Sequence, residues 1–89
     1  MKAVITVLGK DTVGILAKVS AVCAQHGINV TDVSQTILDD TFAMLMMVQM
    51  TGSDIGLADF ADRMKKLGAE QNLVIYVISQ EVFDSMHRV

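Results

Sequence analysis

The chain has no proline and only one cysteine, two histidines and two arginines, and its aromatic residues are three phenylalanines and a single tyrosine. Each scarcity narrows what the protein can do. A lone Cys23 cannot close an internal disulfide and fits a reducing compartment. The net charge is −3 and no basic cluster exceeds the pair Lys65-Lys66. The basic stripe of a nucleic-acid binder and the polybasic patch of a membrane-surface protein are both missing. The apolar run after Lys2 ends at Leu8, before Gly9-Lys10-Asp11, too short for a signal peptide or a membrane span. These features predict a soluble, cytoplasmic protein.

Apolar residues, in contrast, are plentiful, at 52% of 89 positions. A chain of this size forms one domain and buries about 60–65% of its unfolded surface. The surplus apolar surface predicts a partner, most simply a second copy.

Ala3–Leu8 reads as a buried strand bounded by Gly9. From Val13 to His26 the spacing turns helical, with Ile15, Leu16, Val19, Val22 and Cys23 on one face and Lys18, Ala21 and Gln25 on the other. Asp11 or Thr12 can cap its first turn, and Gly27 suits the left-handed residue that ends it. Asn29–Leu38 is a polar strand, joined through Asp39-Asp40 to Phe42–Met50 as an antiparallel hairpin. A second helix carries Leu57, Phe60, Ala61, Met64 and Leu67 inward. Asp59–Arg63 and Asp62–Lys66 stand at ion-pair spacing on its wet side, and Gly68 is its expected stop. Leu73–Ser79 is the last strand, and the tail Glu81–Val89 places Val82, Phe83 and Met86 at helical spacing.

The order β-α-β-β-α-β predicts an α+β, ferredoxin-like sandwich: a four-stranded antiparallel sheet, two helices on one face, and a short C-terminal helix. Right-handed crossovers put strands one and three in the centre and strands two and four at the edges. Strand four is apolar on both faces, which is unusual for an edge and implies that the edge or the open sheet face is covered.

Fold alone does not decide function. The first loop, Gly9–Gly14, has no thiol for a metal carrier and no arginine for an acyl-phosphate hydrolase, and lacks the Lys-Ser/Thr of a Walker loop. Strand one has no aromatic residue on which an RNA base could stack, and strand three has only Phe42. His26 fits a helix end, and Cys23 a core position. Met44, Met46 and Met50 share one sheet face with Val48 and read as core or dimer packing. No nucleophile–base pair or carboxylate dyad assembles, so neither catalysis nor a metal or cofactor is expected.

One loop can bind. A helix that starts near Val13-Gly14 offers free backbone N–H groups to a carboxylate, Gly14 leaves space beside them, and Asp11 can hold an ammonium group. Equally, Asp11 can simply cap the helix and Gly14 simply permit close packing.

The stretch Val4–Gln35, with Asp-x-x-Gly-Ile at Asp11–Ile15 and Gly-Ile-Asn-Val at Gly27–Val30, resembles the first half of an ACT domain. The resemblance continues over residues 1–80, and the tail 81–89 is similar to that of small stand-alone ACT proteins related to the glycine cleavage system regulator. It implies a non-catalytic regulatory module that binds an amino acid or similar effector where one chain's first loop and helix meet strand two of another. The matching positions are Asp11, Gly14, Ile15 and Leu16, with Asn29, Val30 and Asp32. It further implies a homodimer acting on a separate enzyme or regulator. A ligand-free assembly module is the alternative.

Overall fold

The computed structural model describes residues 1–10 and 13–86. In chain order its elements are β1 (Lys2–Lys10), α1 (Ile15–Gln25), β2 (Asn29–Leu38), β3 (Thr41–Gln49), α2 (Leu57–Glu70), β4 (Leu73–Ser79) and α3 (Gln80–Met86). The four strands form one sheet in the order β2-β3-β1-β4, with every neighbouring pair antiparallel. β1 and β3, apolar on both faces, lie in the middle, where both faces can be covered, while β4, equally apolar, forms an edge.

Register fixes which residues share an end of the molecule. Lys10 and Leu38 both pair with Thr41, whereas Lys2 and Asn29 both pair with Gln49. The β2–β3 hairpin closes through Asp39-Asp40, and Asp39 takes the left-handed conformation (φ 57°) that an aspartate tolerates. Between Val30 and Asp32 the β2–β3 ladder shifts by one residue, a bulge at Thr31.

One sheet face forms the core. Ala3, Ile5 and Val7 of β1 lie beside Phe42, Met44, Met46 and Val48 of β3 and Leu73, Ile75 and Val77 of β4. Over them α1 lays Ile15, Val19, Val22 and Cys23, and α2 lays Phe60, Met64 and Leu67. Each large side chain taken from water contributes about 1.5–3 kcal/mol. Gly27 has φ 70°, as its place after α1 requires.

Three details depart from the sequence-based expectations. Leu16 does not join its helical face in the core but stays 37% exposed. Gly68 does not stop α2, which continues to Glu70. It is buried where α2 crosses β4, and a Cβ there would lie 2.7 Å from the Leu73 carbonyl oxygen. Close approach, not helix termination, accounts for this glycine. The pairs expected at Asp59–Arg63 and Asp62–Lys66 do not form. Among the described residues the ion pair is instead His26–Asp54, with Nδ1 and Oδ1 2.8 Å apart. The Asp54 N–H also donates to the His26 carbonyl, so the pair ties the end of α1 to the β3–α2 loop.

On the opposite sheet face Val4 and Thr6 are buried, while Val74 and Tyr76 are exposed. There α3 rests against β1 and β4. The Val82 N–H donates to the Ser79 Oγ at its start (3.1 Å), a serine cap. The helix expected over Glu81–Val89 is present to Met86. Phe83 is half-buried while Val82 and Met86 stay exposed, and residues 87–89 lie outside the described residues.

Candidate functional site

At the start of α1, Gly14 is the N-cap residue with φ 80°, a conformation that costs glycine nothing and strains most other residues. It is exposed, and a Cβ built on it would meet no atom of the described residues within 4 Å. Among the described residues no close contact explains this glycine, while its backbone conformation does require it. The first intrahelical bond runs from the Lys18 N–H to the Gly14 carbonyl at 3.0 Å. The N–H groups of Ile15, Leu16 and Ala17 precede it and have no acceptor within the helix. No acidic residue lies in that first turn. Ile15 is buried beneath the turn and Leu16 borders it in partial contact with solvent. Asp11 lies outside the described residues.

Asn29, Val30 and Asp32 open β2. Asn29 and Asp32 are exposed, and Val30 is half-buried against the core. The bulge at Thr31 turns the edge locally, held by the Thr31 hydroxyl donating to the Met47 carbonyl (3.1 Å). An Asp32 Oδ1 accepts from the Val33 N–H at 2.9 Å, which fixes the carboxylate along the strand.

These two clusters do not meet in one chain. Gly14, Ile15 and Leu16 sit at the end of the sheet marked by Lys10, Leu38 and Thr41, and Asn29 sits at the end marked by Lys2 and Gln49. The eleven residues of α1 between them span about 16 Å.

Two depressions contain none of the seven expected positions. One, of ≈ 290 Å³, crosses the open sheet face among Thr6, Leu8, Thr36, Leu45 and Tyr76. The other, of ≈ 340 Å³, lies between α2 and the free edge of β4, among Lys65, Ala69, Val74 and Tyr76. The apolar surface of β4 was the sequence signal for both, although it does not say what covers them.

The Cys23 thiol is buried, and burial pushes its pKa up from 9.0 to about 11. It is thus protonated and poorly nucleophilic at neutral pH. Among the described residues there is no cluster of three or more metal-ligating side chains, and no helix long and apolar enough to cross a membrane.

Residues 2–77 match the family model of the ACT domain. A UPF0237 protein of Methanopyrus kandleri is 40% identical over 88 residues, covering 99% of this chain and 98% of its own. Among solved structures, an ACT domain protein from Streptococcus pneumoniae superposes with a TM-score of 0.82 at 37% identity, over 93% of each chain. A candidate glycine cleavage system transcriptional repressor superposes with a TM-score of 0.74 at 26% identity, over 86% of this chain and 44% of its own. Motif, fold and relatives agree, and the chain belongs to the ACT-domain family.

Proposed function

We propose that this ACT domain is a non-catalytic, cytoplasmic regulatory module that binds an α-amino acid or similar small effector at a homodimer interface. Asp11, Gly14, Ile15 and Leu16 of one chain and Asn29, Val30 and Asp32 of the other form the site. Residues 1–80 are the binding domain and 81–89 its extension. The output passes to a separate enzyme or regulator.

The observation that carries this reading is the separation of the two clusters to opposite ends of α1. Antiparallel pairing of two β2 edges about a two-fold would set Asn29–Asp32 of one chain beside the residue-38 end of the other. That end is next to the partner's first loop. The exposed turn at Gly14 offers N–H groups that have no acceptor among the described residues, together with the positive end of the helix dipole, to a carboxylate. Asp11, Asn29 and Asp32 can accept from the ammonium group. ACT domains commonly oligomerise and bind small effectors, which accords with both halves of the reading.

A thermal-shift screen over the proteinogenic amino acids tests it. A ligand at about 100 times its Kd adds about 2.7 kcal/mol of stability, a clear rise in melting temperature. Asp11→Ala should weaken that response. A screen in which no amino acid raises the melting temperature rejects the reading.

A second reading, a ligand-free assembly module acting through a separate partner, is favoured by the ≈ 340 Å³ apolar groove at the β4 edge, which contains none of the seven positions. It predicts the same association with no ligand response.

A further inference from the structure

Edge strands in soluble proteins are normally blunted by a charge, a proline or a bulge. The β2 edge has Asp32 and a bulge. The β4 edge, Leu73–Ser79, has seven residues with none of these devices. Beside it α2 leaves the groove among Lys65, Ala69, Val74 and Tyr76, with Val74 59% and Tyr76 44% exposed.

The flank of α2 that borders this groove has a sequence that fits its own reverse. Ala58, Asp62, Lys65 and Ala69 recur at spacings of four, three and four, so they stand in one row along the helix. All four are exposed, and among the described residues neither Asp62 nor Lys65 is held in an ion pair or hydrogen bond. The row is symmetric about a point between Arg63 and Met64. Turned end for end, it sets Asp62 against Lys65, Lys65 against Asp62, and alanine against alanine.

The strand has a matching centre. Gly68 of α2 lies level with the Leu73–Ile75 backbone. The midpoint of the α2 row is about 7 Å farther up the helix. That distance corresponds to about two residues of strand, which reaches Tyr76. Tyr76 is also the middle residue of β4.

We propose that the β4–α2 edge is a homotypic interface, at which a second copy of this chain joins antiparallel about a two-fold axis passing beside Tyr76. The two β4 strands pair along their length, continuing the sheet. The small alanines at the row's ends let the α2 helices approach, and two symmetric Asp62–Lys65 pairs close the contact over the apolar groove. A charge pattern that complements its own reverse favours a second copy over an unrelated extended peptide. This interface does not depend on amino-acid binding and lies on the sheet edge opposite β2. With both edges paired, each chain touches two others; with only this one, the assembly is a dimer.

The test is a charge swap read by sedimentation velocity at micromolar concentration. Asp62→Lys and Lys65→Asp each place like charges opposite one another twice, so each should weaken association roughly tenfold or more and lower the assembly mass. The double variant Asp62→Lys/Lys65→Asp restores both pairs in reversed sense and should regain the wild-type mass. Separately, Tyr76→Cys oxidised with diamide should yield a cross-linked dimer, since residues facing each other across an antiparallel pair bring their Cβ atoms to about 4.5–5.5 Å. Cys23 is buried and does not compete. A mass unchanged by either single reversal, a double swap that fails to recover it, or no cross-link through position 76 overturns the proposal.

Discussion

Gly68 illustrates how a local rule yields to tertiary packing. A glycine late in a helix usually marks its end, yet α2 runs past Gly68 because β4 passes too close for a side chain. Gly68→Ala gains about 1 kcal/mol of helix propensity and incurs about 1–3 kcal/mol of overpacking against the Leu73 carbonyl and Ile75. Net destabilisation in urea unfolding is the expected outcome; a more stable variant would refute the close approach. Cys23 was readable as a core residue from its helical face, and burial sets its chemistry. With a pKa near 11, its thiolate at pH 8 is about a hundredfold scarcer than that of an ordinary thiol. Iodoacetamide should therefore modify it slowly in the folded protein and rapidly in urea. Equal rates in the two states would contradict that burial. The same shift makes folding less favourable at high pH: the contribution of the neutral Cys23 thiol is fully present below pH 9 and is lost as pH rises through about 11. Leu16 was misplaced because it lies at the margin of the α1 face, where periodicity alone cannot separate a buried residue from a bordering one.

At the scale of elements, strand order and hairpin followed from hydrophobic pattern and turn chemistry. β1 and β3, apolar on both faces, take the covered centre, and Asp39-Asp40 offers a turn residue that accepts positive φ; β4, equally apolar but at an edge with Val74 and Tyr76 exposed, is the exception to the pattern. The tail was legible as helical, but not its landing place, which depends on a sheet face no local pattern describes. Here α3 starts on the Ser79 cap and lies against β1 and β4, on the face where Val4 is fully buried. Truncation after Gln80 should cost about 1–3 kcal/mol through renewed exposure of apolar surface. Ser79→Ala alone should cost about 0.5–2 kcal/mol if the cap holds α3 in place. Thermal melting of both variants checks this pair. Unchanged melting after truncation would show that α3 contributes nothing to the fold.

For the whole molecule, the candidate site could be read in the sequence only as two separate halves. The Asp-x-x-Gly-Ile turn and the Gly-Ile-Asn-Val entry are recognisable motifs, yet the length of α1 holds them about 16 Å apart in one chain. In the proposed site a second chain brings them together, and hydrophobic periodicity carries no information about a partner's register. Surplus apolar surface predicts an interface without locating it, and the β4 groove is not legible in the sequence because its lining comes from α2 and β4 together. In the proposed site Gly14 leaves the turn open to a ligand, and Gly14→Asn isolates that role. Asparagine accepts a positive φ, and its Cβ meets no atom of the described residues within 4 Å, so the fold should survive while the side chain obstructs the turn. Calorimetric titration of wild type and Gly14→Asn with the twenty amino acids is the direct measurement. The prediction is at least one amino acid with a submillimolar Kd for the wild type and no measurable heat with the variant, at matched melting temperature. Absence of binding to the wild type, or equal binding to both proteins, would contradict the claim.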